Sequence, residues 1–258
     1  MGSKPKTILV IPDAQVKPGV DVSHMTWIGQ YIADKRPDVV VNIGDFADMC
    51  SLSSYDRGKR SFQGRTYAED IKSVHHAMKL LMAPFRGIRG YKPRLVLTLG
   101  NHEDRITRAI EEDGRLYGTI GLDDLGYKEA GWEVYPFLEP VVIDGIAFAH
   151  YFTSGVMGRP VSSARALVKS RHCSAVMGHN QATDVYMSDQ RPDGRHITGL
   201  FCGTAYLHQE AFLGAQGNAQ RRHVVMLNDV RDGEFDLCFV SLRFLERKYG
   251  HRSKRSVA

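Results

Sequence analysis

Arg94-Leu95-Val96-Leu97-Thr98-Leu99-Gly100-Asn101-His102-Glu103-Asp104 is the stretch that decides how the rest of the chain is read. An apolar, β-prone run stops at Gly100, and an amide, an imidazole and two carboxylates follow at once, at the mouth of a buried strand. A buried strand does not need those side chains. Taken alone, the segment also fits a strand-to-helix turn in which Asn101 caps a helix beginning at Glu103.

The same grammar recurs along the chain. Ile8-Leu9-Val10-Ile11 ends at Pro12-Asp13, Val39-Val40-Val41-Asn42-Ile43 at Gly44-Asp45, Ile146-Ala147-Phe148-Ala149 at His150, and Ala175-Val176-Met177 at Gly178-His179. Each short apolar strand delivers an Asp, Asn or His at its C-terminal end. In open α/β sheets that edge is where ligands bind, so these groups are expected to converge on one site. Oxygen and imidazole donors without thiolates suit a hard or borderline divalent cation such as Mn, Mg, Fe or Zn.

In order, Asp13-Ala14-Gln15, Gly44-Asp45-Phe46-Ala47-Asp48, Gly100-Asn101-His102-Glu103, His150 and Gly178-His179-Asn180-Gln181 resemble the five blocks of the calcineurin-like metallophosphoesterases. Those blocks read D-x-H, G-D-x-x-D, G-N-H-[DE], H and G-H-x-H. The resemblance runs from about Ile8 to about Gln181. It implies an α/β fold, a four-layer αββα sandwich of two mixed β-sheets flanked by helices. It also implies a metal-dependent phosphoesterase with one or two ions. One metal site would be Asp45, Asn101, His150 and His179, and the other Asp13, Gln15, Asp45 and Gln181, with Asp45 as the bridge. His102 would contact phosphate and protonate the leaving group, oriented by Asp48 or Glu103.

The chain departs from the family pattern at Gln15 and Gln181, where the family has His. Both positions belong, by resemblance, to one metal site. An amide oxygen is a neutral hard donor that holds Zn and Fe less well than imidazole does, so that site is expected to be weak and biased toward Mn or Mg.

A length of 258 residues, a formal net charge of +5 and a pI near 9.0 fit one large α/β domain with an anionic partner, nucleic acid or a nucleotide. Arg57, Arg60, Arg105 and Arg108 follow the Asp45 and His102 blocks and are the candidate substrate-binding residues; a merely solvated loop is the alternative for Arg57 and Arg60. The domain is expected to span 1–246, followed by a basic, frayed tail over 247–258. Cys50, Cys173, Cys202 and Cys238 lack C-x-x-C spacing and read as reduced core residues of a cytosolic protein. No apolar run approaches membrane-span length and no signal-peptide h-region follows Met1, so a soluble, cytoplasmic protein without a membrane partner is expected. The leading expectation is a phosphodiesterase acting on nucleic acid or a nucleotide; its rivals are a binding or scaffold protein that keeps the fold without catalysis, and a small-molecule phosphomonoesterase.

Local signals place the scaffold. Asp21 can cap a helix whose inner face is Trp27, Ile28, Tyr31 and Ile32, ended by Arg36-Pro37. Thr66 with Glu69 forms a capping-box pattern before a helix that buries Ile71, Val74, Met78, Leu81 and Phe85, and its His75 and His76 read as surface or packing residues. Asp144-Gly145 joins strands 141–143 and 146–149 in a hairpin. Segments 197–201, 222–227 and 235–244 alternate like strands of a second sheet.

Overall fold

Side-chain alternation along buried strands sorts this chain into layers. The computed structural model describes residues 5–210 and 213–253. In β1 (Lys6–Ile11), Ile8 and Val10 enter one core while Leu9 and Ile11 enter another. β2 (Val39–Asn42) repeats the division, with Val39 and Val41 on one side and Val40 on the other. β3 (Arg94–Thr98) and β4 (Glu133–Tyr135) continue this parallel set.

The second sheet is built from β5 (Val141–Ile143), β6 (Ile146–Ala149), β9 (Ser174–Met177), β10 (Thr183–Met187) and β11 (Thr198–Cys202), in the order β10-β11-β9-β6-β5. β6, β9 and β11 are parallel, and β5 and β10 are antiparallel edges. A two-stranded ribbon, β7 (Thr153–Ser154) with β8 (Arg159–Pro160), lies between β6 and β9 in sequence. Between the two sheets, Ile8, Val10, Val41 and Val96 meet Ile146, Phe148, Val176 and Leu200.

Helices close both outer faces. α1 (His24–Lys35), α2 (Tyr67–Met82) and α6 (Leu242–Ser253) cover the first sheet through Ile28, Val74, Leu81 and Leu245. α4 (Ala164–Arg171) covers the second through Ala164, Leu167 and Val168, against Ala175 and Met177. α3 (Arg105–Glu112) and α5 (Gly214–Gly217) lie at the periphery. The result is the four-layer αββα sandwich of two mixed sheets expected above.

Several local expectations hold. Thr66 accepts from the Glu69 N–H at the start of α2, and Arg36 ends α1 in the left-handed region at φ 50°. Asp144 and Gly145 turn the β5–β6 hairpin with φ of 47° and 83°. His75 meets the Asp124 carbonyl at 2.8 Å, a packing role.

Others are corrected. The strands read at 222–227 and 235–244 are β12 (His223–Arg231) and β13 (Glu234–Ser241), and they extend the first sheet, beside β1, rather than the second. Alternation reports that a strand is half-buried but not which sheet it joins; β12 is claimed by backbone pairing with β1 over Ile8 to Val10. Ser23, not Asp21, precedes α1, and Asp21 instead accepts from the Ser23 N–H at 2.8 Å. No helix begins at Glu103; residues 101–104 form turns and α3 begins at Arg105. The boundary at 246/247 falls inside α6, where Leu242, Leu245 and Tyr249 are buried on one stripe and Asp34 of α1 accepts from Tyr249 at 2.8 Å. Residues 254–258 of the expected tail lie outside the described residues. All four cysteines are free, but Cys238 is exposed on β13. No helix among the described residues is long and apolar enough to cross a membrane.

Candidate metal and phosphate site

Because β1, β2 and β3 run in parallel, as do β6 and β9, their C-terminal ends lie along one edge of each sheet. The two edges are tied together where His150 Nδ1, just past β6, meets the Ile43 carbonyl, just past β2, at 3.0 Å. The ring hydrogen on Nδ1 serves that carbonyl, which leaves the Nε2 lone pair facing Asn101 Oδ1 at 3.0 Å and Asp45 Oδ2 at 3.3 Å. Asn101 Oδ1 also lies 2.8 Å from His179 Nδ1. Donor atoms of Asp45, His150 and His179 all fall within 4.8 Å of one another. Lone pairs aimed at one another in this way are reconciled by positive charge among them, a ring proton or a cation.

The buried charges tell the same story. Burial alone would favour a neutral His150, but Asp45 outweighs it and pushes the ring up to about 9. His179, by contrast, is drawn down to about 4 by burial and by the neighbouring His150. Burial works against the charge on Asp45, yet His102 and His150 hold it well below the usual carboxylate range. Asp13 is pushed up to about 7 by burial, an effect that His150 opposes and Asp45 reinforces. Asp45 thus stays ionised while Asp13 holds its proton more readily, an imbalance that a cation between them would remove.

Glycines make room for these carboxylates. A Cβ on Gly100 would stand 2.1 Å from Asp45 Oδ1, and one on Gly178 would stand 2.3 Å from Asp13 Oδ1. Four of the candidate ligands are themselves in the left-handed region, Gln15 at φ 43°, Asp45 at 49°, His179 at 67° and Gln181 at 57°. Backbone strain is thus concentrated where the loops converge.

The second candidate metal site is joined to the first by backbone. The N–H groups of Ala14 and Gln15 donate to the Asp45 carbonyl at 3.1 and 2.8 Å, and the His179 N–H donates to Asp13 Oδ2 at 3.1 Å. Gln15 Oε1 is buried without a hydrogen-bond partner, an orphaned oxygen that fits a hard cation. Gln181 Oε1 accepts from the Tyr206 hydroxyl at 3.2 Å, so it is engaged already.

His102 stands at the margin of this cluster. Its N–H donates to Asp45 Oδ1 at 2.9 Å, and its Nδ1 lies 3.2 Å from Asp48 Oδ1. Burial pulls this imidazole down, but Asp45 and Asp48 more than offset it and hold the ring above its ordinary range. Asp48 is in turn opposed by burial but held low by His102, Lys17 and Arg105. Lys17 Nζ meets Asp48 Oδ2 at 3.1 Å and also pairs with Glu210, while Arg105 Nη1 donates to Asp48 Oδ1 at 2.9 Å.

Of the two carboxylates expected to orient His102, only Asp48 contacts the ring. Glu103 turns away: its oxygens accept from the N–H groups of Asp45, Ala47 and Gly100 at 3.0, 2.9 and 2.9 Å and from the Tyr127 hydroxyl at 3.2 Å. It staples the Asp45 loop to the His102 loop. Glu103→Ala would leave these buried donors unpaired, and we expect a loss of about 3–4 kcal/mol in a urea titration. A loss below about 1 kcal/mol would show that the loops do not depend on it.

The four arginines divide. Arg57, Arg105 and Arg108 line one cleft of about 290 Å³, whereas Arg60 does not, and Arg105 Nη2 also lies 3.3 Å from His102 Nε2. Arg57 is paired with Glu112, and Arg108 donates to the Asn101 carbonyl at 2.7 Å. Lys17, Tyr206 and Glu210 were not expected from sequence. Lys17 follows Asp13 by four residues, a usable signal, but nothing near Tyr206 or Glu210 marks them.

No protein-family model matches the chain. It is 33% identical over 101 residues to the Gene 54 protein of Mycobacterium phage D29, a match spanning 39% of this chain and 37% of that protein. Among solved structures, it is similar to a conserved uncharacterized protein, a predicted phosphoesterase, from Streptococcus pneumoniae TIGR4. That likeness has a TM-score of 0.40 and 11% identity and covers 92% of this chain and 90% of the other. It is also similar to GAP50, the anchor in the inner membrane complex of Plasmodium, at a TM-score of 0.32 and 11% identity, over 93% and 89% of the two chains.

Proposed function

We propose that the chain is a divalent-metal-dependent phosphoesterase of the calcineurin-like type whose substrate is a phosphodiester of nucleic acid or a nucleotide. One observation carries this: oxygen and imidazole donors from separate strand ends lie against one another, with His102 at their margin and its ring held by Asp48. Asp45, Asn101, His150 and His179 would hold one ion, and Asp13, Gln15, Asp45 and Gln181 a weaker second. When bound, such ions compensate charge on the phosphoryl oxygens and acidify water. His102 would donate its proton to the departing oxygen, while Asp48 keeps the imidazole in place. His102 itself, and after it Lys17 and Arg105, keep Asp48 ionised against its burial. Arg57 and Arg108 would meet further phosphate oxygens from the cleft wall. Oxygen donors in place of two imidazoles favour Mn or Mg over Zn.

The competing reading, a binding protein that keeps the fold without turnover, draws support from Gln181, whose amide oxygen is already engaged by Tyr206. A direct assay separates the two. With Mn added, a bis-aryl phosphodiester should be hydrolysed, and chelator should abolish the reaction. Equal rates with Mn and with chelator would sink the metalloenzyme, and preference for an aryl phosphomonoester would replace the diesterase by a monoesterase.

A further inference from the structure

The Tyr206 ring whose hydroxyl reaches Gln181 packs against one cationic and one aromatic neighbour. The Arg222 guanidinium lies 4.6 Å from its centroid, and His208 stacks on it at 4.5 Å. This stack leads out of the metal and phosphate site into a polar cavity of about 720 Å³ between the 207–222 segment and the start of α6. Arg221, Arg222 and Arg243 line that cavity, with Glu246 as its carboxylate. Arg57, Arg105 and Arg108 have Glu112, Asp48 and Asp104 as partners, whereas Arg221, Arg222 and Arg243 have no ion-pair partner among the described residues.

Three arginines against the one carboxylate of Glu246 leave the cavity lining net positive, which favours an entering anion. Their planar forks match phosphate oxygens in particular. The cavity also lies at a useful distance from the metal and phosphate site. Asp13 bridges to Thr204 through the backbone, and Thr204 bridges to Arg222. At ordinary strand spacing this puts the Arg222 backbone about 10 Å from Asp13.

We infer that Arg221, Arg222 and Arg243 form a second anion subsite that grips a phosphate of the same polynucleotide strand whose scissile phosphate sits by His102. The direction of the strand rests on the phosphoesterase function proposed above, but the binding does not. A substrate with several phosphates would span both places, and one with a single phosphate would use only the first.

The test uses the full chain without added metal and a fluorescein-labelled single-stranded oligonucleotide, read by anisotropy across a salt series. Arg221→Glu with Arg243→Glu is expected to weaken binding at least about tenfold and to flatten the log–log salt slope by about 0.7 for each phosphate released. Lys79→Glu with Lys92→Glu makes the same change of net charge at exposed positions elsewhere and is the control. It is expected to weaken binding less than about twofold, since long-range charge is screened. A urea titration of each variant reports whether it is folded. Equal weakening in both pairs, or unchanged binding in the arginine pair, overturns the subsite. If that happens while the wild-type chain hydrolyses an aryl phosphodiester, the subsite alone falls. Arginine-dependent binding by a chain that hydrolyses no ester supports the subsite and removes the phosphoesterase.

Discussion

Asp45→Asn should lower turnover of an aryl phosphodiester roughly a thousandfold, about 4 kcal/mol of lost charge stabilisation, and should weaken Mn binding measured by calorimetry. Asp45 is the carboxylate common to both candidate metal sites, and its oxygens face His150 at 3.3 Å and the His102 N–H at 2.9 Å. Asn is the informative replacement because it tolerates the left-handed backbone of this position, φ 49°, and keeps the acceptor for His102. It removes charge and leaves the loop. Asp13→Asn should cost less in both measurements, since Asp13 belongs to one site only. Equal losses of rate and of metal affinity in the two variants would remove the case for Asp45 as a bridge.

His102→Ala should act on the leaving group rather than on the metal. We expect turnover of an alkyl phosphodiester to fall about a hundredfold to ten-thousandfold, as for loss of a general acid. Turnover of a nitrophenyl diester should fall far less, because nitrophenolate departs without a proton. Mn affinity should hold, since His102 contributes its backbone N–H, not its ring, to the nearest contact with Asp45. Asp48→Asn is expected to follow the same pattern in weaker form, because it releases the imidazole without removing it. An equal fall on both esters would assign His102 to phosphate binding instead of proton transfer.

Much of this site was legible because its signals are local. A strand that is apolar on both faces and stops at a glycine beside a carboxylate or imidazole describes its own end, and parallel strands carry such ends to one edge. So Asp13, Asp45, Asn101, His102, His150 and His179 could be named as candidates from strand ends, while the four layers were what the family resemblance implied. Gln15 and Gln181 stood out only through the family resemblance, as departures from its motif blocks.

What the tertiary structure decided are choices between partners that are far apart in sequence. Asp48 and Glu103 were equal candidates for His102 until packing gave Glu103 three backbone N–H groups and the Tyr127 hydroxyl, none of which a linear pattern announces. The place of β12 beside β1 was open for the same reason, since alternation describes a strand's burial and not its neighbour. Lys17 with Glu210, Tyr206 with Gln181, and the arginines at 221, 222 and 243 are brought together only when the chain after Cys202 folds back over the strand edge. Backbone periodicity is a property of near neighbours and can be read along the chain, whereas the pairing of charges and hydrogen-bond donors depends on which surfaces meet, and only the folded packing determines that.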